Sequence, residues 1–187
     1  GLAFSINETF DRILLDRLLP SAVADAQIGM YSACYKITIF MTLFSTAFRL
    51  GIEPFYFQQA NQQNPQRQYA RILEVFVIIG SLIFLMVVVF ADLIKVVIVR
   101  SDSFWEAMWI VPIILLANFF LGIYHNLSVW YKVTDRTNYG LVFSVIGAVV
   151  TLGVNFWLIP MIGFKGSAIA TLSAYGLMAI LSAIVGQ

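Results

Sequence analysis

An all-α integral membrane protein, built as a bundle of six transmembrane helices with the first one truncated, is the fold class this sequence predicts. Three observations carry that prediction. Hydrophobic residues make up 60% of the 187 and charged residues 11%, against about 25% charged in an ordinary soluble domain, and the mean hydropathy is +0.88. The run from Ile28 to Phe55 is apolar apart from Lys36, Arg49 and Glu53, and at about 1.5 Å per residue it exceeds the roughly 30 Å of a bilayer's hydrocarbon core. Residues 75–91 and 137–164 carry no charge at all.

The same composition narrows the function. Formal net charge is +1 with neither a basic block nor an acidic tail, which excludes a nucleic-acid interface. Cys34 is the single cysteine, so it forms no internal disulfide and belongs to no cysteine metal site; it reads as a small buried hydrophobe. The sequence shows no nucleophile constellation, phosphate-cradling glycine loop, metal-ligand cluster or regular arginine-bearing helix. Neither an enzyme nor a cofactor is therefore expected.

The spans follow in order, at about 1–19, 27–54, 72–92, 105–131, 138–159 and 164–186, in a single unit over 1–187. The opening segment has no initiating Met and no signal-peptide pattern, and the chain is expected to begin inside its first helix. That helix has an apolar stripe (Leu2, Phe4, Phe10, Ile13, Leu14, Leu18) broken by Glu8, Asp11, Arg12 and Asp16. Glu8 and Arg12 stand four apart in the orientation that favours a helical ion pair, the way membrane helices keep charge in their interior. A truncated transmembrane helix with an inward polar face is preferred to an amphipathic surface helix.

Residues 20–27 read as a short connector, which makes the first two helices antiparallel neighbours. Counted from that connector, Arg12 and Lys36 both lie roughly 10 to 12 Å from one mouth of the bundle. Two cations at one depth make an anion site, or each pairs separately with Glu8 or Asp11; the sequence leaves both open. Arg49 and Glu53, again four apart, read as a structural pair near the interface, and Pro54 is expected to end the second helix. The polar segment after it is expected to be a solvated loop turning at Asn64 and Pro65.

The third span is the uncharged run from Val75, and a mixed connector with Asp92, Lys95, Arg100, Asp102 and Glu106 follows. Trp105 and Trp109 at one end of the fourth span, with Trp130 and Tyr131 at the other, sit about 37 Å apart, as two interfacial aromatic belts would. Pro112 is expected as a kink. His125 reads as a satisfied interfacial residue, and the Asn126–Ser128 glycosylation pattern is discounted because it falls within a helix. Gly147, Gly153, Gly163, Gly166, Ala170 and Ala174 supply close-approach positions for the last two spans, which turn at Pro160 and Gly163. Cations divide four to four: Arg67, Arg71, Lys132 and Arg136 on one side, Arg17, Lys95, Arg100 and Lys165 on the other. Arg49 tips the balance toward a cytoplasmic side for 55–71.

Charges concentrated on the first two of six helices suggest a transporter lobe in which those helices line a path. NETFDRILLDRLLP, the run from Ile28 to Ala60, then YARIL, NLSVWYKVTDRTNYG and NFWLIPMIGFKGSAIAT resemble the C-terminal half of bacterial polysaccharide biosynthesis proteins. These are Wzx-type oligosaccharide flippases of the multidrug/oligosaccharidyl-lipid/polysaccharide exporter superfamily, most like the Bacteroidetes forms.

The resemblance implies one lobe of a two-lobe exporter with about six helices per lobe, opening alternately to the two sides of the bacterial inner membrane. Its substrate would be an undecaprenyl-pyrophosphate-linked oligosaccharide, and its partners membrane lipid and an N-terminal lobe of the same polypeptide. It also implies that the loops at 55–71 and 131–137 face the cytoplasm. Arg12 and Lys36 would then hold the pyrophosphate in the inter-lobe cavity, because Arg and Lys are the usual phosphate partners. Glu8 and Asp11 would orient the arginine or take part in ion coupling, and Arg49 joins this cavity set. The alternative is a cation-coupled antiporter of the multidrug and toxin extrusion type, in which the carboxylates would hold organic cations. A third reading is a non-transporting membrane scaffold of a glycan-assembly complex.

Overall fold

The computed structural model describes residues 2–59, 65–99 and 102–186, with side chains from Thr9 onward except those of residues 57 and 59. Among these residues the chain is helical and has no strand, as an all-α membrane fold requires. The helices are α1 (Leu2–Leu18), α2 (Ser21–Gln59), α3 (Pro65–Val89), α4 (Ala91–Ile98), a 3₁₀ segment (Asp102–Ile110), α5 (Val111–Leu127), α6 (Val129–Val133), α7 (Asn138–Ile162) and α8 (Phe164–Gly186). Among the described residues four stretches are long and apolar enough, by length and composition, to cross a membrane: Pro65–Val89, Asp102–Val133, Asn138–Ile162 and Phe164–Gly186.

Several expected boundaries move. Residues 20–27 are not a connector: α2 starts at Ser21, and the amides of Val23 and Ala24 bond to the carbonyl of Pro20 at 3.0 and 3.1 Å. Proline suits that place because its missing N–H is not needed ahead of the first turn, and the alanine-rich residues after it are good helix formers. Pro54 does not end α2, which runs on to Gln59; membrane helices tolerate an internal proline when neighbours satisfy the freed carbonyl. Arg67 and Arg71 stand on α3 rather than in a loop, and the expected turn at Asn64 lies outside the described residues. Pro112 falls in the first turn of α5, so no kink is needed there.

In the bundle, α8 lies between α5 and α7, α1 rests on α2 and α7, and α3 packs on α2 and α5. The tightest seam is α7 against α8, where a side chain on Gly166 would meet the backbone of Leu158 at 2.8 Å. Phe76 of α3 is fully buried, stacked on Phe44 of α2 at 5.1 Å and on Phe119 of α5 at 6.0 Å. The rest of α3 is mostly bare, with Ile78, Leu82, Leu85 and Met86 exposed, and α4 has no buried residue. Apolar surface of that kind is stable only against lipid or another protein.

The two ends of the bundle are fixed by cross-links between hairpins. At the hairpin end, Gln27 of α2 accepts the Phe164 N–H at 2.9 Å beside Gly163, whose φ of 64° only glycine adopts without strain. Lys165 lies 5.1 Å over the Trp109 ring at that same end. At the opposite end Lys132 pairs with Glu53 at 3.2 Å. Trp105 and Trp109 therefore mark one end and Trp130 and Tyr131 the other, but Tyr131 is buried in the core against Tyr124 rather than presented at a surface belt.

Candidate functional site

Asp11 is the focus of the polar interior. It is completely buried, and its carboxylate accepts the Tyr31 hydroxyl at 2.6 Å, the Asn155 amide at 3.0 Å and the Thr171 hydroxyl at 3.0 Å. Tyr31, Asn155 and Thr171 are fully buried as well, so α1, α2, α7 and α8 meet at one carboxylate. Tyr35 lies one turn from Tyr31, the rings edge to face at 4.9 Å and the hydroxyls 3.4 Å apart. Because the Asn155 amide is turned to the carboxylate, its Oδ1 points elsewhere, buried and without a hydrogen-bond partner among the described residues. A buried group of this sort costs about 1–3 kcal/mol when left unsatisfied. The cluster thus has one carbonyl oxygen and one carboxylate able to take up a proton or a small cation.

A second site opens toward the end marked by Trp130. A cavity of about 490 Å³ lies between α2, α5, α7 and α8, lined by Arg49, His125, Lys132, Tyr124, Tyr131 and Tyr175, among others. Arg49 brings a guanidinium whose Nε is buried with no hydrogen-bond partner among the described residues. Tyr124 and Tyr131 hold each other, hydroxyls 3.0 Å apart, and no carboxylate lines this cavity among the described residues. Its inner wall reaches the Asp11 cluster: Thr151 and Tyr175 line it, and each stands four residues, about 6 Å, from Asn155 on α7 and Thr171 on α8. The arrangement suits an anionic group near Arg49 and a charge-compensating event at Asp11.

The residues singled out from the sequence fall in three places. Asp11 forms the buried cluster and Arg49 the basic cavity. Arg49 does not pair with Glu53, which bonds to Lys132 instead. Arg12 is half-buried on α1 and engaged within the chain, and the side chain of Glu8 lies outside the described residues. Lys36 is exposed and lines a different cavity, of about 540 Å³, with Gly29, Ser32, Ile98, Val99 and Phe104.

Arg12 and Lys36 do not share one depth. With the helix starting at Ser21, Lys36 is fifteen residues or about 22 Å from the start of α2, whereas Arg12 is about 9 Å from the end of α1. The expectation of equal depth rested on a connector that is helical. Tyr31, Asn155, Thr171, Tyr124 and Tyr175 have no place in the sequence reading, and Tyr131 and Lys132 enter it only as a belt residue and a loop cation. A polar Asn in the uncharged run 137–164 is the one signal that could have marked Asn155. Among the described residues there is no group of three His, Cys, Asp or Glu able to hold a metal ion.

Residues 8–157 match the family model described as MatE. No curated protein and no solved structure matches the chain.

Proposed function

Since the chain belongs to the MatE family, whose members are membrane exporters and not enzymes, we propose that it is one transmembrane lobe of an exporter carrying an undecaprenyl-pyrophosphate-linked oligosaccharide across the bacterial inner membrane. The observation that supports this reading is the tyrosine-lined cavity at Arg49, whose buried guanidinium Nε has no hydrogen-bond partner among the described residues; His125 and Lys132, the latter paired with Glu53, line it too, and no carboxylate is among its described lining residues. A pyrophosphate brought below the headgroups needs such donors, and guanidinium is well matched to it. Tyrosine rings and hydroxyls suit the sugars that follow. Arg12 and Lys36 serve the same anion at other points of its path, and Glu8 keeps Arg12 oriented.

Asp11 is the group we assign to ion coupling. Its partners Asn155 and Thr171 each stand one helical turn from a residue of the cavity wall, on α7 and α8, so charging or neutralising Asp11 acts on the helices that line the cavity. A second reading, cation-coupled multidrug and toxin extrusion, draws on the same carboxylate, which would hold an organic cation directly.

The test is complementation of a bacterium lacking its own flippase, using the protein as its gene encodes it and scoring surface polysaccharide at matched membrane abundance. Arg49→Ala is expected to lose most activity, and Arg136→Ala, an exposed cation in the turn before α7, to lose none. Full activity in Arg49→Ala would remove the proposed anion site. Failure of the unmutated protein to complement, together with raised resistance to cationic drugs, would select the second reading.

A further inference from the structure

Arg67 and Arg71 stand four residues apart near the start of α3, both exposed, and neither is held in an ion pair among the described residues. Like charges at that spacing disfavour their own helix, so the pair presents a positive edge that the nearby Glu74 offsets only in part. With Gln68 and Glu74 they line an open cavity of about 560 Å³. Gln68 and Arg71 also stand at the mouth of a second space, an apolar groove of about 280 Å³ between Phe48, Ile52 and Phe55 of α2 and Ile72 and Val75 of α3.

Two features tie these spaces to a bilayer. Val75 belongs both to the groove and to the exposed stripe that continues along α3 through Ile78, Ile79 and Leu82, so the groove opens sideways onto the face that lipid covers. Arg71 lies one turn, about 6 Å, before the uncharged run that starts at Val75, which sets its guanidinium at the level where headgroups meet hydrocarbon. The groove is also preformed. Tyr69 donates to the Tyr56 carbonyl at 3.3 Å, their rings pack at 5.2 Å, and Tyr56 donates to Asn126 Oδ1 at 3.0 Å, locking α2 to α3 and α5.

We propose that this surface is a binding site for an anionic glycerophospholipid, with Arg67 and Arg71 on the headgroup phosphate and one acyl chain in the groove. A free phosphate would use the arginines and leave the groove empty; a zwitterionic phospholipid would use the groove but set its own headgroup cation against the arginines that bind its phosphate. A lipid carrying net negative charge satisfies both without that opposing cation. Glu74 faces the same phosphate and weakens its binding. The site is separate from the Arg49 cavity and does not depend on what the exporter carries.

The experiment is native mass spectrometry of the detergent-purified protein titrated with phosphatidylglycerol or phosphatidylcholine. The first tightly held phosphatidylglycerol is expected to be retained roughly 5- to 25-fold better than phosphatidylcholine, about fivefold for each arginine. R67Q/R71Q should erase that preference and E74Q should raise it. I72W, which fills the groove but keeps both charges, should weaken retention of both lipids and serves as a second variant should the double mutant fold poorly. Equal retention of the two lipids by the unmutated protein would overturn the proposal, as would a preference surviving in R67Q/R71Q. Displacement of phosphatidylglycerol by millimolar inorganic phosphate would overturn it in favour of a soluble anion. Preferential displacement by undecaprenyl phosphate would reassign the site to the carrier lipid.

Discussion

At the level of single residues, Asp11 shows how a membrane interior accommodates a carboxylate. Three donors from three helices satisfy it, and each is itself buried, so removing one exchanges a charge-assisted bond for a desolvated gap. Tyr31→Phe is expected to cost about 1–3 kcal/mol, read as a lower apparent melting temperature in detergent, while transport falls less than with Asp11→Ala. An unchanged melting temperature would mean that Tyr31 only fills space. From the sequence, Asp11 was legible because four-residue spacing around Glu8 and Arg12 marks a polar helix face. Its partners were not, since they lie 20, 144 and 160 residues away and no local pattern connects them.

Among the elements, the α7–α8 seam rests on side chains that are absent. Any Cβ on Gly166 runs into the backbone of Leu158, which cannot move aside alone, whereas at Gly147 it meets the flexible end of Met178, and at Gly153 nothing lies within 4 Å. Alanine substitutions should therefore rank in thermal stability, with Gly166→Ala the most damaging and Gly147→Ala milder. Gly153→Ala should be neutral or slightly stabilising, by about 0.5–1 kcal/mol, since glycine is the poorer helix former. A strong loss at Gly153 would contradict this packing. The small-residue run that predicts close approach is thus right about the seam but does not distinguish which glycines form it. Pro54 shows the reverse limit: local rules end a helix there, and the surrounding bundle carries it on to Gln59.

Across the whole molecule, the hydropathy of the sequence sufficed to mark α3, the Asp102–Val133 stretch, α7 and α8, because lipid rewards continuous apolar length regardless of neighbours. The cavities were less legible, because they form where helices distant in sequence diverge. Lys36 and Arg49 sit about 20 Å apart along α2 and line separate spaces, one beside the 3₁₀ segment that carries Trp105 and Trp109 and one near Trp130. In a Cys34→Ala background, Lys36→Cys and Arg49→Cys are expected to react with a membrane-impermeant maleimide from opposite faces of oriented vesicles. Labelling of both from the same face would show that the two spaces share one mouth.

The Asp11 cluster also constrains how the protein is made. Asparagine and threonine reach this carboxylate from helices emerging from the ribosome 144 and 160 residues after it, a delay of roughly 8 to 30 s at about 5–20 residues per second. For most of that interval a nascent chain holds an acidic side chain in or beside lipid with Tyr31 made and Asn155 and Thr171 still to come. A ribosome stalled before α8 leaves the cluster without its Thr171 donor, so the four-helix junction closes only once the last helix is made.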